Sequence, residues 1–276
     1  MKRRLIQLCA ALLYNLNLKG FAEASIYKGK SKGLCVPGLN CYSCPGAVGS
    51  CPLGTLQNAL SAMDRKLPFY ILGVLLLFGV TMGRTICGFL CPFGLVQELL
   101  YRIPVPKIKK NRVTQELSKV KYVILAVFVI ILPVVFKAAS GLPVPAFCKY
   151  ICPAGTLEGG IPLVLLDDSL SGLAGALFHW KVLVLAVILV SACFLYRSFC
   201  RILCPLGAIY SLFAPVALLG VRIDRDTCVD CGRCVRTCKM DVRQVGDREC
   251  IQCGECMKEC NVDAIYWKKP WDVKSK

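Results

Sequence analysis

Eight cysteines crowd the C-terminal part of the chain in two runs, Cys228, Cys231, Cys234, Cys238 and Cys250, Cys253, Cys256, Cys260, each with two, two and three residues between successive thiols. Thiolates in this doubled pattern wrap two cubane iron-sulfur clusters, each cluster taking three cysteines from one run and the last cysteine of the other. Cys260 is therefore expected beside Cys228, Cys231 and Cys234, and Cys238 beside Cys250, Cys253 and Cys256, holding two 4Fe-4S clusters. Structural zinc would use two separated ligand pairs at each site, which the runs do not offer.

A second cysteine pattern recurs through the preceding two hundred residues. Cys51-Pro52-Leu53-Gly54, Cys91-Pro92-Phe93-Gly94, Cys152-Pro153-Ala154-Gly155 and Cys204-Pro205-Leu206-Gly207 all read Cys-Pro-x-Gly. Three have another cysteine four residues earlier, at Cys87, Cys148 and Cys200, while Cys51 follows Cys41 and Cys44. Proline removes a backbone donor and fixes the turn, and glycine permits close approach, so the motif suits a metal-binding corner at a helix end. Cys87, Cys91, Cys200 and Cys204 are expected to form an inner iron-sulfur site. Six thiols compete for an outer site: Cys44, Cys51, Cys148 and Cys152 follow the repeat most closely, Cys41 rivals Cys44, and Cys35 is a spare iron ligand or a structural thiol. Disulfides are the alternative for this outer group if its compartment is oxidising. Cys9 and Cys193, within apolar segments, read as small buried hydrophobes.

The elements that must carry these motifs are apolar. The 276 residues are 56% hydrophobic and only 18% charged, too greasy for an ordinary soluble domain of this size. Leu67 to Ile86, Val120 to Phe136 and Val182 to Phe199 approach the roughly 20 residues needed to cross hydrocarbon. Leu5 to Leu18 is expected as a fourth span, with a signal peptide or an interfacial helix as rival readings. Between Arg84 and Lys121 stand eight basic and two acidic residues, against three and three between Lys137 and Lys181. The first loop should therefore lie in the cytoplasm and the second outside. Iron-sulfur proteins are loaded where thiols stay reduced, which independently places the cysteine-rich tail in the cytoplasm.

The expected fold is a mostly α membrane protein of about four transmembrane helices in two pseudo-symmetric halves, plus a small α+β two-cluster ferredoxin domain of bacterial type. Residues 1–221 form the membrane domain, with repeat halves at about 35–110 and 140–215; residues 222–267 form the ferredoxin domain and 268–276 a tail. Each half runs outer motif, span, inner motif, so the halves would pair about an axis normal to the bilayer and set the two membrane sites at its opposite surfaces. The tail from Arg222 carries 12 basic and 10 acidic residues of the 34 and 17 in the chain, which leaves the +17 net charge mostly on the membrane domain. Topology and anionic lipid account for that excess, and no free basic helix or aromatic platform suggests nucleic acid.

At Cys87-Gly-Phe-Leu-Cys91-Pro, Cys200-Arg-Ile-Leu-Cys204-Pro and the doubled tail runs, the chain resembles the membrane polyferredoxin family of NapH, the C-terminal half of NosR, and CcoG. The resemblance covers roughly residues 67–267. It implies electron transfer across or along the membrane, with quinol oxidation, oxidase regulation or copper reduction among the family's roles. The loop from Cys35 to Cys51 is extra, no flavin domain of the NosR kind is present, and Lys239 and Asn261 stand where proline usually follows the last ferredoxin cysteines.

No nucleotide loop, flavin fingerprint or metalloprotease helix appears, so no substrate-converting centre is identified. His179, the sole histidine, reads as an interfacial residue beside Trp180. Arg84 and Arg201 adjoin the inner motifs and would offset the charge of a thiolate-bound cluster. The expected function is electron transfer from a cytoplasmic donor, through the tail clusters and two further membrane clusters, to an external or membrane redox protein such as a flavoprotein. The alternative is a redox regulatory or metal-reducing assembly factor for a respiratory oxidase.

Overall fold

The computed structural model describes residues 2–62, 68–108, 110–167, 172 and 175–268. It is mostly helical, with two short strands near the C-terminus. Two helices are long and apolar enough to cross a membrane: α6, Arg112–Ser140, of 29 residues, and α9, Ala176–Phe194, of 19. At 1.5 Å per residue they extend about 44 Å and about 28 Å.

Helix α6 starts where sequence chemistry tells it to. Asn111 Oδ1 accepts from Val113 N–H at 2.9 Å while Thr114 Oγ1 accepts from Asn111 N–H at 3.0 Å, a reciprocal cap. Its middle, Leu125–Ile131, widens into π-helix just before Pro133. Proline there lacks a donor and would press its ring on the carbonyl four residues back, and the wider turn relieves both problems. The same device precedes Pro162, where Gly155–Gly160 is π-helical within helix α8, Gly155–Leu166.

Two expected spans prove shorter. Helix α1 covers Lys2–Tyr14 and α3 covers Phe69–Thr81, 13 residues or about 20 Å each; Leu67 lies outside the described residues. Helix α3 stops because Gly83 takes φ +49° against Ala217, where an added Cβ would come within 3.0 Å of the alanine methyl. The chain then restarts as α4, Thr85–Phe89. The third expected span, Val182 to Phe199, is instead α9, ending at Phe194; Arg197 turns out at φ 51° before α10, Ser198–Ile202.

All four Cys-Pro-x-Gly copies begin a helix rather than end one, Pro153 opening the turn that runs on into α8. Helix α2, Pro52–Ser61, α5, Pro92–Leu100, and α11, Pro205–Phe213, each have the cysteine at the N-cap and proline at the first position. Proline is tolerated there because the first helical N–H has no internal partner anyway. Helix α2 packs on the Leu132–Ser140 end of α6, and α11 on the Val120–Ile131 stretch. In the tail, β1, Gly220–Ile223, pairs antiparallel with β2, Ile265–Lys268, closing the segment on itself.

Candidate iron-sulfur centres

The tail repeats one backbone device twice. Asp230 and Gly232 flank Cys231 with φ of 47° and 67°, and Gln252 and Gly254 flank Cys253 with φ of 56° and 74°. Successive left-handed residues turn backbone N–H groups toward one concavity, which suits an anionic core. Cys228, Cys231, Cys234 and Cys260 line one cavity of about 250 Å³. Cys238, Cys250, Cys253 and Cys256 line another of about 40 Å³. The chain is thus crossed as the spacing suggests, the last cysteine of each run standing with the other run. The first cavity is at the surface, with Cys231 exposed; the second abuts the preceding helices, where Cys238, Cys250 and Cys253 share an apolar cluster with Cys87 and Tyr196.

Among the four membrane motifs, the structure joins the first copy to the third and the second copy to the fourth. Cys41, Cys51, Cys148 and Cys152 line one cavity of about 680 Å³. Cys44 is buried outside that lining, its sulfur accepting from Gly46 and Ala47 N–H, and Cys35 donates to Thr55 Oγ1 at 3.6 Å. Cys41 thus lines the cavity where repeat spacing alone points to Cys44, although a turn joins the two residues (Cys44 N–H to Cys41 O, 3.2 Å). Cys87, Cys91, Cys200 and Cys204 lie within electrostatic reach of one another in the apolar core.

Each motif supports its own thiol. Gly155 N–H points at Cys152 Sγ at 3.4 Å and Gly207 N–H at Cys204 Sγ at 3.3 Å; Gly54 and Gly94 do the same for Cys51 and Cys91. A helix N-terminus with a free third N–H is where a negative sulfur is most comfortable. Glycine also keeps the space open. A Cβ on Gly155 would lie 3.7 Å from Cys152 Sγ and 3.8 Å from Cys41 Sγ, and one on Gly159 only 3.4 Å from Cys41 Sγ.

The residue six positions after each motif cysteine ties that motif to another, a role the sequence reading missed. Gln57 Nε2 donates to Cys148 Sγ at 3.3 Å while its Oε1 accepts from Phe147 N–H at 2.9 Å. Gln97 repeats this with Cys200 Sγ at 3.0 Å and Phe199 N–H at 3.0 Å. Glu158 Oε2 accepts from Cys41 N–H at 2.7 Å, and Tyr210 OH donates to Pro37 O at 2.8 Å. Extending the motif to Cys-Pro-x-Gly-x-x-(Gln, Gln, Glu, Tyr) would have exposed the pattern.

The outer and inner thiol sets are neighbours rather than a bilayer thickness apart. Leu39 N–H points at Cys91 sulfur, and Cys41 is only two residues further on, a reach of about 7 Å of chain. Tyr210, fully buried, feels the charges of Cys51, Cys87 and Cys91 together. A Cβ on Gly38 would meet Leu90 O at 2.9 Å and Cys91 Cα at 3.2 Å, so the Pro37–Cys41 loop is wedged against the second motif.

Buried charges surround the inner site. Arg197 donates to Glu98 Oε1 through Nε at 2.9 Å and Nη2 at 2.6 Å, and to Cys87 O. Arg3 and Tyr196 complete the shell around the same carboxylate at 2.6 and 2.8 Å. Burial alone would raise the Glu98 pKa, but Arg197 and Arg3 overcome it and hold the group at about 2. Arg201 pairs with Asp241, Arg84 and Lys121 both pair with Glu249, and Thr114 donates to Asp241 at 2.9 Å, fastening the tail to the preceding helices.

The residues present suit an iron-sulfur core. Burial pushes the Cys91 thiol up to about 12, and Cys51, Cys152 and Cys204 also upward, so a bound cation is what would favour thiolates there. Arg84 Nε and Nη2 and Arg201 Nε are buried donors without acceptors, as expected beside a sulfide-rich group. All twenty cysteines are free, so no disulfide competes for them. Among the described residues, no three or more of His, Cys, Asp and Glu are arranged to hold a single ion, whereas tetrahedral zinc needs its thiolates within about 2.3 Å of one point.

Comparison with known proteins agrees. An uncharacterized protein of Methanocaldococcus jannaschii is 29% identical over 173 residues, 62% of this chain and 64% of that protein. The methylamine utilization ferredoxin-type protein MauN of Paracoccus denitrificans is 26% identical over 198 residues, 70% of this chain and 62% of its own, and MauN of Methylorubrum extorquens 25% over 166, 60% and 50%. The chain thus spans from half to just under two thirds of the length of these relatives. No solved structure is a significant match. The 4Fe-4S binding domain profile matches residues 50–70, 67–111, 122–161 and 176–223, more than half of the chain, and each matched segment carries one Cys-Pro-x-Gly copy. By that match, anchored on the four Cys-Pro-x-Gly motifs, the chain belongs to the 4Fe-4S binding domain family.

Proposed function

We propose that this protein is a membrane-embedded electron carrier that passes electrons between a cytoplasmic donor and an external or membrane redox partner. The observation that carries the reading is the succession of four cysteine sets, from exposed Cys231 through the set abutting Cys87 to the inner and outer sets of one apolar core. Each set offers four thiols, and a 4Fe-4S core bound by them supplies one-electron oxidation and reduction. The protein's own contribution is placement. Gln57 and Gln97 orient Cys148 and Cys200, Arg197 and Glu98 lock the helix bearing Cys87, and the Glu249 and Asp241 ion pairs hold the tail against the inner site. MauN is described as ferredoxin-type, in keeping with this role.

Embedding in a bilayer rests on the outward apolar faces of α3, α6 and α9, where Leu76, Leu77, Ile131, Val135, Val187 and Val190 are exposed. Such a band costs little in lipid and much in water. The excess of basic residues between Arg84 and Lys121 favours the cytoplasm for that side and for the tail docked on it. In this reading residues 1–221 form a membrane domain of two pseudo-symmetric halves, each supplying part of both sites, with the ferredoxin domain at 222–267. A second reading, a redox regulatory or metal-reducing assembly factor, draws on the spare thiols Cys35 and Cys44 beside the outer cavity.

The test is electron transfer across sealed vesicles containing the purified protein, from an impermeant reductant on one side to a trapped acceptor on the other. The wild-type protein should reduce the acceptor, and Cys91→Ser or Cys204→Ser should abolish it. Normal rates in both variants would refute the carrier reading.

A further inference from the structure

Arg84 is fully buried, and its guanidinium is half used. Nη1 donates to Arg248 O at 2.8 Å and to Glu249 Oε2 at 3.1 Å, while Nε and Nη2 have no acceptor. A buried donor left without a partner costs about 1–3 kcal/mol. The idle nitrogens lie on the side of the inner cysteines: a Cβ on Gly207 would stand 3.4 Å from Nη2, and Cys87 and Cys200 both feel the Arg84 charge. On the other side, Glu249 immediately precedes Cys250, whose thiol feels Arg84 too. Arg84, with buried Lys121 on the same Glu249, therefore places fixed positive charge between the inner set and the second cysteine set of the tail. The cavity lined by the outer set has no arginine, only the half-buried Lys181, and Glu158 bonds Cys41 there.

We infer that Arg84 donates through Nε and Nη2 to the inner iron-sulfur site and makes it the more easily reduced of the two membrane sites. Glu249 opposes that effect through the ion pair. The inference rests on the reading that the inner cysteines hold a cluster. A guanidinium does not lose its proton in proteins, so its charge is permanent. Reduction adds one negative charge, which a desolvated cation at contact stabilises strongly. Arg84 is thus a positioning and tuning residue: it sets where an electron rests, and Glu249 links that setting to the docked tail.

The experiment is a redox titration of the full-length purified protein followed by electron paramagnetic resonance, with the inner signal assigned as the one missing in Cys91→Ser. At a fixed applied potential, Arg84→Gln should lower the reduced-to-oxidised ratio of the inner centre at least tenfold, about 59 mV for one electron. Arg84→Lys, which keeps the charge, should lose much less. Glu249→Gln should move the inner centre the opposite way. A purely structural role would move Arg84→Gln and Glu249→Gln in the same direction, because both break the same ion pair, and that result overturns the inference; so does an unchanged inner midpoint in both. If Arg84→Gln does not fold, the signs of Arg84→Lys and Glu249→Gln decide. Absence of any inner signal from the wild-type protein would overturn the underlying cluster reading instead, and iron content distinguishes the two failures.

Discussion

Glu98 shows how much one side chain can carry when its partners are all buried. It accepts from Arg3, Tyr196 and Arg197 inside the shell of the inner site. Its pKa is held below the ordinary carboxylate value, so the stabilisation is fully present above about pH 4.5 and is lost as pH falls toward about 2. Glu98→Gln should destabilise the protein by about 3–5 kcal/mol, since it strands the Arg197 charge in the core, and should flatten the acid limb of a pH-stability profile measured by tryptophan fluorescence in detergent. At the same scale, Gln97 serves Cys200 with one end and Phe199 N–H with the other. Gln97→Leu should empty the inner site, lowering iron by about four atoms per chain. Gln97→Glu, which keeps the acceptor for Phe199 but loses the donor to Cys200, should retain iron and lower the inner midpoint. Both outcomes are read by iron assay and redox titration.

Among elements, the decisive contact is between α4 and the tail. A Cβ on Gly88 would fall 2.3 Å from Ile251 O, so the helix carrying Cys87 meets the ferredoxin segment backbone to backbone. Gly88→Val should push the tail off its seat without touching any cysteine. The expected signs are faster amide exchange across residues 220–268 and unchanged total iron; unchanged exchange would show that the interface yields easily. The Pro37–Cys41 loop matters as much. Lying against Cys91, that loop places the outer and inner thiols in one core, a separation far smaller than the roughly 30 Å of hydrocarbon.

For the molecule as a whole, four sets of four thiols predict about sixteen iron atoms per chain and as many acid-labile sulfides in anaerobically purified protein. About eight would mean that only the tail sets are loaded. A Cys51→Ser, Cys91→Ser double variant that keeps its tail clusters, with iron near eight, would show that the tail and the membrane domain load independently. The ion pairs Arg84–Glu249, Lys121–Glu249 and Arg201–Asp241 clamp the tail onto the helical part of the molecule, so the proposed route from exposed Cys231 inward rests on fixed geometry.

Local chemistry was readable from the residues alone. Ligand spacing over a few positions constrains which thiols can share a core, which is why a crossed pairing of the tail runs is expected from the amino-acid order, whereas the expected matching of motif copies comes from the order and charge of the segments between them. Cysteine followed by proline also marks a helix boundary by backbone sterics, though whether it starts or stops the helix depends on which thiol the next N–H groups must serve. The tertiary structure decided the rest: that Cys41 rather than Cys44 lines the outer cavity, that residues 57, 97, 158 and 210 clasp neighbouring loops, and that both membrane sites share one core. Each of these depends on contacts between segments far apart in the chain, whose energies come from burial and hydrogen bonding formed only once the helices pack.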